Sequence, residues 1–316
     1  MLPELWRMDI ASGIVSLKLL RQLHTERPLV AGGGAFLAAG SAITQFEDRF
    51  QIVADDALDL VSFACDSDAP GKLTRLFQRA DLPADEKARK KVKPDLESAT
   101  IVGQGETATW IGLGSGSTAR RSRGVFCKPG GEPQEFEAAP LFDWLRQQHP
   151  QLNIEGLSAL PEHNRLRLAQ RGNGEGSSNA IIDLDLKRAQ QYLQQGKAWG
   201  PELVISQKTV ELPKWDHVPI TLTDLTPLDG GRCLFTGAAE DTDNPYDDGQ
   251  VKGSVIGVLE LDGQVSQLQR VDLQVKLEGI TARRQGEQVQ AWVVSDNDDP
   301  HQAASLYEAW LHVKRM

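Results

Sequence analysis

The sequence predicts an all-β protein folded as a single β-propeller across residues 1–316, and three observations predict it. Short apolar runs of strand length recur along the chain, separated by turns that draw on 29 glycines. Two stretches are near copies, Ile154-Glu155-Gly156-Leu157 and Leu277-Glu278-Gly279-Ile280, each followed by an apolar run, a polar loop and a further strand. The same order returns in weaker letters at Gly40-Ser41-Ala42-Ile43, Leu96-Glu97-Ser98-Ala99 and Thr223-Asp224-Leu225. Taking Ser41, Glu97, Glu155, Asp224 and Glu278 as equivalent gives spacings of 56, 58, 69 and 54 residues. The polar loops at Asp55, Ser115, Arg171, Glu240 and Asp296 follow 14 to 18 residues behind them. An array of units of about four strands is the signature of a propeller. The count is five blades, or six if residues 1–40 hold another unit.

Each unit reads as key strand, second strand, polar loop, third strand and outer strand. The last unit has only 38 residues after Glu278, enough for three strands. The N-terminal segment around Ile14 to Leu19 is expected to supply the fourth, pairing with the strand that contains Leu306 and Trp310. Closure of this kind removes exposed sheet edges. Residues 140–146 and 187–193 show helical spacing and read as insertions between third and fourth strands, opposite the polar loops. The charged run Asp85-Glu86-Lys87-Ala88-Arg89-Lys90-Lys91 reads as a solvated loop.

Composition narrows the function. With 44 acids against 34 bases, a net charge of −10 and a pI near 5.2, the chain is a poor partner for nucleic acid or an anionic membrane. No apolar run approaches the roughly 20 residues that span a bilayer. The first residues lack a basic-then-apolar leader design. Cys65, Cys127 and Cys233 lie far apart without metal spacing and read as reduced core thiols of a cytoplasmic protein. The turn Gly112-Leu113-Gly114-Ser115-Gly116-Ser117 lacks the lysine ending of a phosphate loop, and no GxSxG nucleophile motif is present. Both Asp-rich loops, at 241–245 and 296–300, carry proline in positions that exclude an EF-hand.

Propeller topology brings the loops into the first strand and those after the second strand to one end of the ring. The repeat therefore gathers Glu97, Glu155, Asp224 and Glu278 around the axis, with Ser41 as fifth member. An oxygen-rich, histidine-free set of this kind suits Ca²⁺ or Mg²⁺ and implies no organic cofactor. The competing structural reading has each acid accept neighbouring backbone N–H groups and fix its blade to the next. Arg121, Arg171, Asn173, Glu240 and Asp296 are the candidate ligand-binding residues, with the two arginines able to neutralise the acids or to bind an anion.

The ordered motifs Lys93-Pro94-Asp95-Leu96-Glu97, Gly114-Ser115-Gly116-Ser117, Ile154-Glu155-Gly156, Arg171-Gly172-Asn173, Ala239-Glu240-Asp241-Thr242, Asp247-Asp248-Gly249 and Asp296-Asn297-Asp298-Asp299 resemble an uncharacterised family of bacterial β-propeller proteins. That family is similar in turn to esterase-like phytase propellers. The resemblance implies the propeller and no established reaction. Three functions follow as expectations: a cation-dependent face that binds a small or peptide ligand, ranked first; a metal-assisted hydrolase of phosphoesters, esters or lactones; and a non-catalytic scaffold.

Overall fold

A computed structural model describes residues 13–172, 177–241, 250–297 and 299–315. Their strands form five antiparallel sheets, one per sequence unit, in strictly sequential order. Blade 1 comprises Ala42–Phe46, Arg49–Val53, Asp59–Ala64 and Lys72–Arg75; blade 2 comprises Leu96–Val102, Thr109–Gly114, Arg123–Cys127 and Gln134–Glu137. Blade 3 comprises Ile154–Leu160, Arg165–Gln170, Ala180–Asp185 and Val204–Thr209. Blade 4 comprises Val218–Pro227, Cys233–Asp241, Gln250–Leu259 and Val265–Val271; blade 5 comprises Lys276–Gln285, Gln288–Asp296 and Ser305–His312, completed by Lys18–Gln22.

The first strand of each blade is innermost, and these five strands touch one another in a closed cycle around the axis. Apolar side chains leave both faces of every blade, so the core is divided rather than central. Five hydrophobic clusters are present, one in each gap between adjacent blades. The second strand of blade 3, Arg-Leu-Arg-Leu-Ala-Gln, shows the consequence. Leu166 and Leu168 face blade 2, and Arg167 on the other face is fully buried, tied to Asp183 at 2.8 Å and to the backbone oxygens of Glu260 and Leu261.

The five-blade expectation and closure by the N-terminal segment both hold, with the register now defined. Leu19 pairs with Tyr307 and Gln22 with Ser305, antiparallel, as the fourth strand of blade 5. Ile14 and Val15 do something different: they run parallel to Arg270 and Val271 on the outer edge of blade 4. The N-terminal segment therefore bridges two blades. No helix among the described residues is long and apolar enough to cross a membrane.

Three local expectations need correction. The charged run near residue 87 is a helix, α1 (Glu86–Val92), started by Asp85, whose carboxylate accepts the Ala88 N–H at 2.8 Å. Its Arg89 is buried against the Pro83 and Ala84 carbonyls. Helix α2 (Ala139–Arg146) follows the outer strand of blade 2 rather than its third strand, and so lies at the polar-loop end. Its Phe142 ring packs on Gly116, at φ 68°, and Arg146 donates to the Gly116 carbonyl. Helix α3 (Leu186–Gln194) lies between third and fourth strands as expected. Among the cysteines only Cys233 is buried; Cys127 is half-buried and Cys65 is exposed.

Candidate functional site

The inner strands of blades 2 to 5 each carry a register shift at the position singled out by the repeat. The shift falls at Glu97, at Glu155, at Thr223 beside Asp224, and at Glu278-Gly279. A bulged residue leaves the ladder and its side chain is re-aimed, which is how strand residues come to line the axis. The glycine after each glutamate has its own cause. A Cβ on Gly156 would lie 3.0 Å from the Leu225 nitrogen, and one on Gly279 would lie 2.8 Å from the Ile43 nitrogen. The next inner strand passes too close for a side chain.

Between blades 1 and 2, ligand atoms of Asp55, Asp95 and Glu97 lie within 4.8 Å of one another. The Lys93 ammonium bridges two of them, touching Asp55 and lying 2.9 Å from Asp95. Asp95 is buried in a left-handed conformation, φ 60°, and is held there by Ser115 Oγ at 2.5 Å and the Arg121 guanidinium at 3.0 Å. Glu97 differs from its neighbours. It is half-buried and makes no hydrogen bond or ion pair among the described residues. Burial, with Asp95, Asp55 and Glu155 nearby, pushes its carboxyl well above the usual range. Burial also raises Asp55, but the Lys93 ammonium outweighs it and holds Asp55 below its ordinary value. The adjacent Asp56 is pushed up to about 6 by burial and by Asp55, against the opposing Arg89 at 3.2 Å.

Blades 3, 4 and 5 supply a second cluster around two buried cations. Arg171 touches Glu240, approaches Glu155 at 3.4 Å and Glu278 at 3.9 Å, and donates to Thr221 Oγ1 at 3.2 Å. Lys276 Nζ lies 3.1 Å from both Glu240 and Glu278 and 3.4 Å from Asp296. Burial opposes charge on Arg171 and Lys276, yet the surrounding carboxylates more than offset it and raise both. Glu240, with two cations, ends below its ordinary value despite burial. Glu155 is raised by burial, and Glu278 is pushed up to about 8, burial and Glu155 outweighing Lys276 and Arg171. The clusters share one field, since Asp95 acts on Glu155 and Lys276 acts on Asp55.

The structure thus gathers Glu97, Glu155, Glu278, Arg121, Arg171, Glu240 and Asp296 at one end of the axis, with Ser41 receiving the Asp55 N–H at 3.0 Å. Asp224 has other partners. Its two oxygens accept the Leu225 N–H at 2.7 Å and the Ile280 N–H at 2.8 Å, so it joins blade 4 to blade 5 in the way the structural reading describes. Both arginines face carboxylates, which is the neutralising arrangement. Asn173, Asp247, Asp248 and Asp298 lie outside the described residues. Sequence reasoning missed Lys93, Asp95 and Lys276. A signal existed: Asp95, Asn153 and Lys276 each stand two residues before a key glutamate, and alternation along a strand places such pairs on one side.

A family model matches residues 36–311, from the segment entering blade 1 to the last strand of blade 5. The chain belongs to DUF6929, a family of unknown function. No curated protein matches it. Solved propellers that resemble this DUF6929 chain include a mutant GH32 β-fructofuranosidase of Bombyx mori in complex with sucrose, at 10% identity and TM-score 0.50, over 91% of this chain and 61% of that one. A glycosyl hydrolase from Bacteroides ovatus matches at 10% identity and TM-score 0.49 over 96% and 91%. Glutaminyl cyclase of Myxococcus xanthus matches at 9% and 0.48 over 94% and 98%. Likeness at this level concerns the fold of DUF6929 alone.

Proposed function

We propose that the carboxylate-lined end of the axis is the site of a cation-assisted hydrolase, with Asp55, Asp95 and Glu97 as the cation ligands. The observation that carries this reading is Glu97: an unpartnered carboxyl within 4.8 Å of two other carboxylates. The donor set is all oxygen, which suits Ca²⁺ or Mg²⁺. Lys93 is the resident positive charge, and its flexible stem lets the ammonium yield Asp55 and Asp95 to a divalent ion. A bound cation would polarise an ester, lactone or phosphoester oxygen and acidify a water.

The remaining groups divide by their environments. Glu278, pushed up to about 8, carries its proton at neutral pH and faces the same opening as ionised Glu240. Groups whose neighbours drive their pKa values apart can serve as acid and base. Glu155 and Glu278 are therefore assigned to proton transfer, Asp224 to joining the blades, and Arg171 and Lys276 to holding the acids in place. A second reading, a binding face without turnover, draws on the fact that Lys93 already neutralises Asp55 and Asp95.

The test is a pair of measurements. Heating curves in millimolar Ca²⁺ or Mg²⁺ should lie above those in chelator, and a panel of nitrophenyl phosphates, acetates and lactones should show turnover that Glu97→Gln removes. Cation stabilisation without turnover leaves the binding reading. Superimposed heating curves remove the metal from both.

A further inference from the structure

The end of the ring opposite the carboxylates holds a different feature. A cleft of about 400 Å³ opens there between blades 1 and 2. Phe46, the last residue of the inner strand of blade 1, and Ile101, near the end of that of blade 2, lie in its wall, whereas Glu97 stands at the other end of its strand. Leu60, Trp110 and Cys127 complete the apolar lining, and the turn that begins at Lys128 forms a rim. The volume falls in the range of about 300–1,000 Å³ typical of small-molecule sites.

Trp110 is the informative residue. It is only 4% exposed, yet its indole N–H has no acceptor among the described residues. Buried donors without acceptors are rare in folded proteins and costly where they occur. The indole is also deliberately seated. A Cβ on Gly112 would stand 2.4 Å from the indole Cη2, so the absent side chain is what lets the ring lie along its own strand. Directly across the ladder from Trp110 is Cys127, whose thiol burial pushes up to about 11, leaving it a neutral S–H. The lining offers no unmatched charge. Arg75 is engaged by Asp59 at 3.2 Å and Asp81 at 2.8 Å, and Lys128 and Glu132 contribute opposite signs to one rim.

We propose that this cleft binds a small, planar, uncharged molecule of largely apolar surface whose carbonyl oxygen accepts from the Trp110 indole N–H. An apolar wall without free charge selects against ions, and the net charge of −10 repels anions in particular. One unspent donor in such a wall fixes the orientation of a ligand that carries one acceptor. The site is separate from the carboxylate ring and does not depend on the activity assigned there.

The experiment is a titration of the ¹⁵N-labelled full chain, followed through its indole N–H resonances, with Trp110→Phe identifying the Trp110 signal. Coumarin, a planar lactone, is the probe, and naphthalene, of similar size without an acceptor, is the control. Coumarin should shift the Trp110 resonance downfield and saturably, and should bind Trp110→Phe about five- to tenfold more weakly, the scale of one lost hydrogen bond. Naphthalene should bind both forms alike. Cys127→Phe, which keeps Trp110 and fills the cleft, should abolish coumarin binding. A Trp110 signal that does not move, equal coumarin affinity in the Trp110→Phe chain, or undiminished binding to Cys127→Phe overturns the proposal.

Discussion

Lys276 and Glu278 stand two residues apart on the inner strand of blade 5, and the Lys276 ammonium lies 3.1 Å from Glu278 Oε1. The pair does not rescue Glu278 from burial, since its carboxyl still sits near 8 against an ordinary 4.5. The folded chain thus keeps a proton that the unfolded chain releases, so stability falls as pH rises from about 4.5 to about 8. Glu278→Gln should raise the melting temperature at pH 8 and above, with little change at pH 4.5, and should flatten the profile between. A variant less stable than the parent at pH 8 would show that the carboxylate is required as a charge.

Asp224 predicts the reverse. Asparagine offers one acceptor where Leu225 and Ile280 present two N–H groups, so Asp224→Asn should cost about 1–3 kcal/mol. Denaturant unfolding measures it. Cation binding should be unaffected.

Lys93→Met removes the resident charge between Asp55 and Asp95. Breaking a buried ion pair from one side typically costs about 3–5 kcal/mol, so the variant should be markedly unstable in chelator. Excess Ca²⁺ should restore much of that loss, and calorimetry should show tighter Ca²⁺ binding than in the parent. Equal instability with and without Ca²⁺ would place the lysine outside any cation site.

Removal of residues 1–23 deletes the fourth strand of blade 5 together with the Ile14–Val15 pairing on blade 4. Two sheet edges are then bare, and bare edges associate. The truncated chain should elute as oligomers or aggregates in size-exclusion chromatography, and a stable truncated monomer would contradict the closure.

The blades were legible because their signal is local and repeated: alternation within strands, a Glu-Gly pair at fixed spacing and polar loops behind it. Helix α1 was not, because Glu86, Lys87, Arg89, Lys90 and Lys91 leave no apolar stripe, and only the Asp85 cap marked its start. Helix α2 had the right spacing, but its end of the ring depends on which strand precedes it, and the short strand Gln134–Glu137 was overlooked. In the candidate site, spacing placed the glutamates around the axis. It could not tell Asp224, bonded to two backbone N–H groups, from Glu97, bonded to none, because the difference arises from a one-residue offset in the bulge. Lys93 and Lys276 were hidden by the rule that lysines face water, which fails when carboxylates surround them.

The strand that completes blade 5 also sets a clock. Lys18–Gln22 leaves the ribosome early, and its partner Ser305–His312 is made last. At about 5–20 residues per second, the interval between them is on the order of 15–60 s. Blades 1 to 4 can pair their own strands within that time, but the ring cannot shut. Lys18 and Arg21, flanking the two leucines of the waiting strand, discourage it from joining a wrong edge meanwhile. A chain interrupted before Ser305 therefore never acquires a closed axis, however well its first four blades have formed, and whatever depends on that axis begins only after synthesis ends.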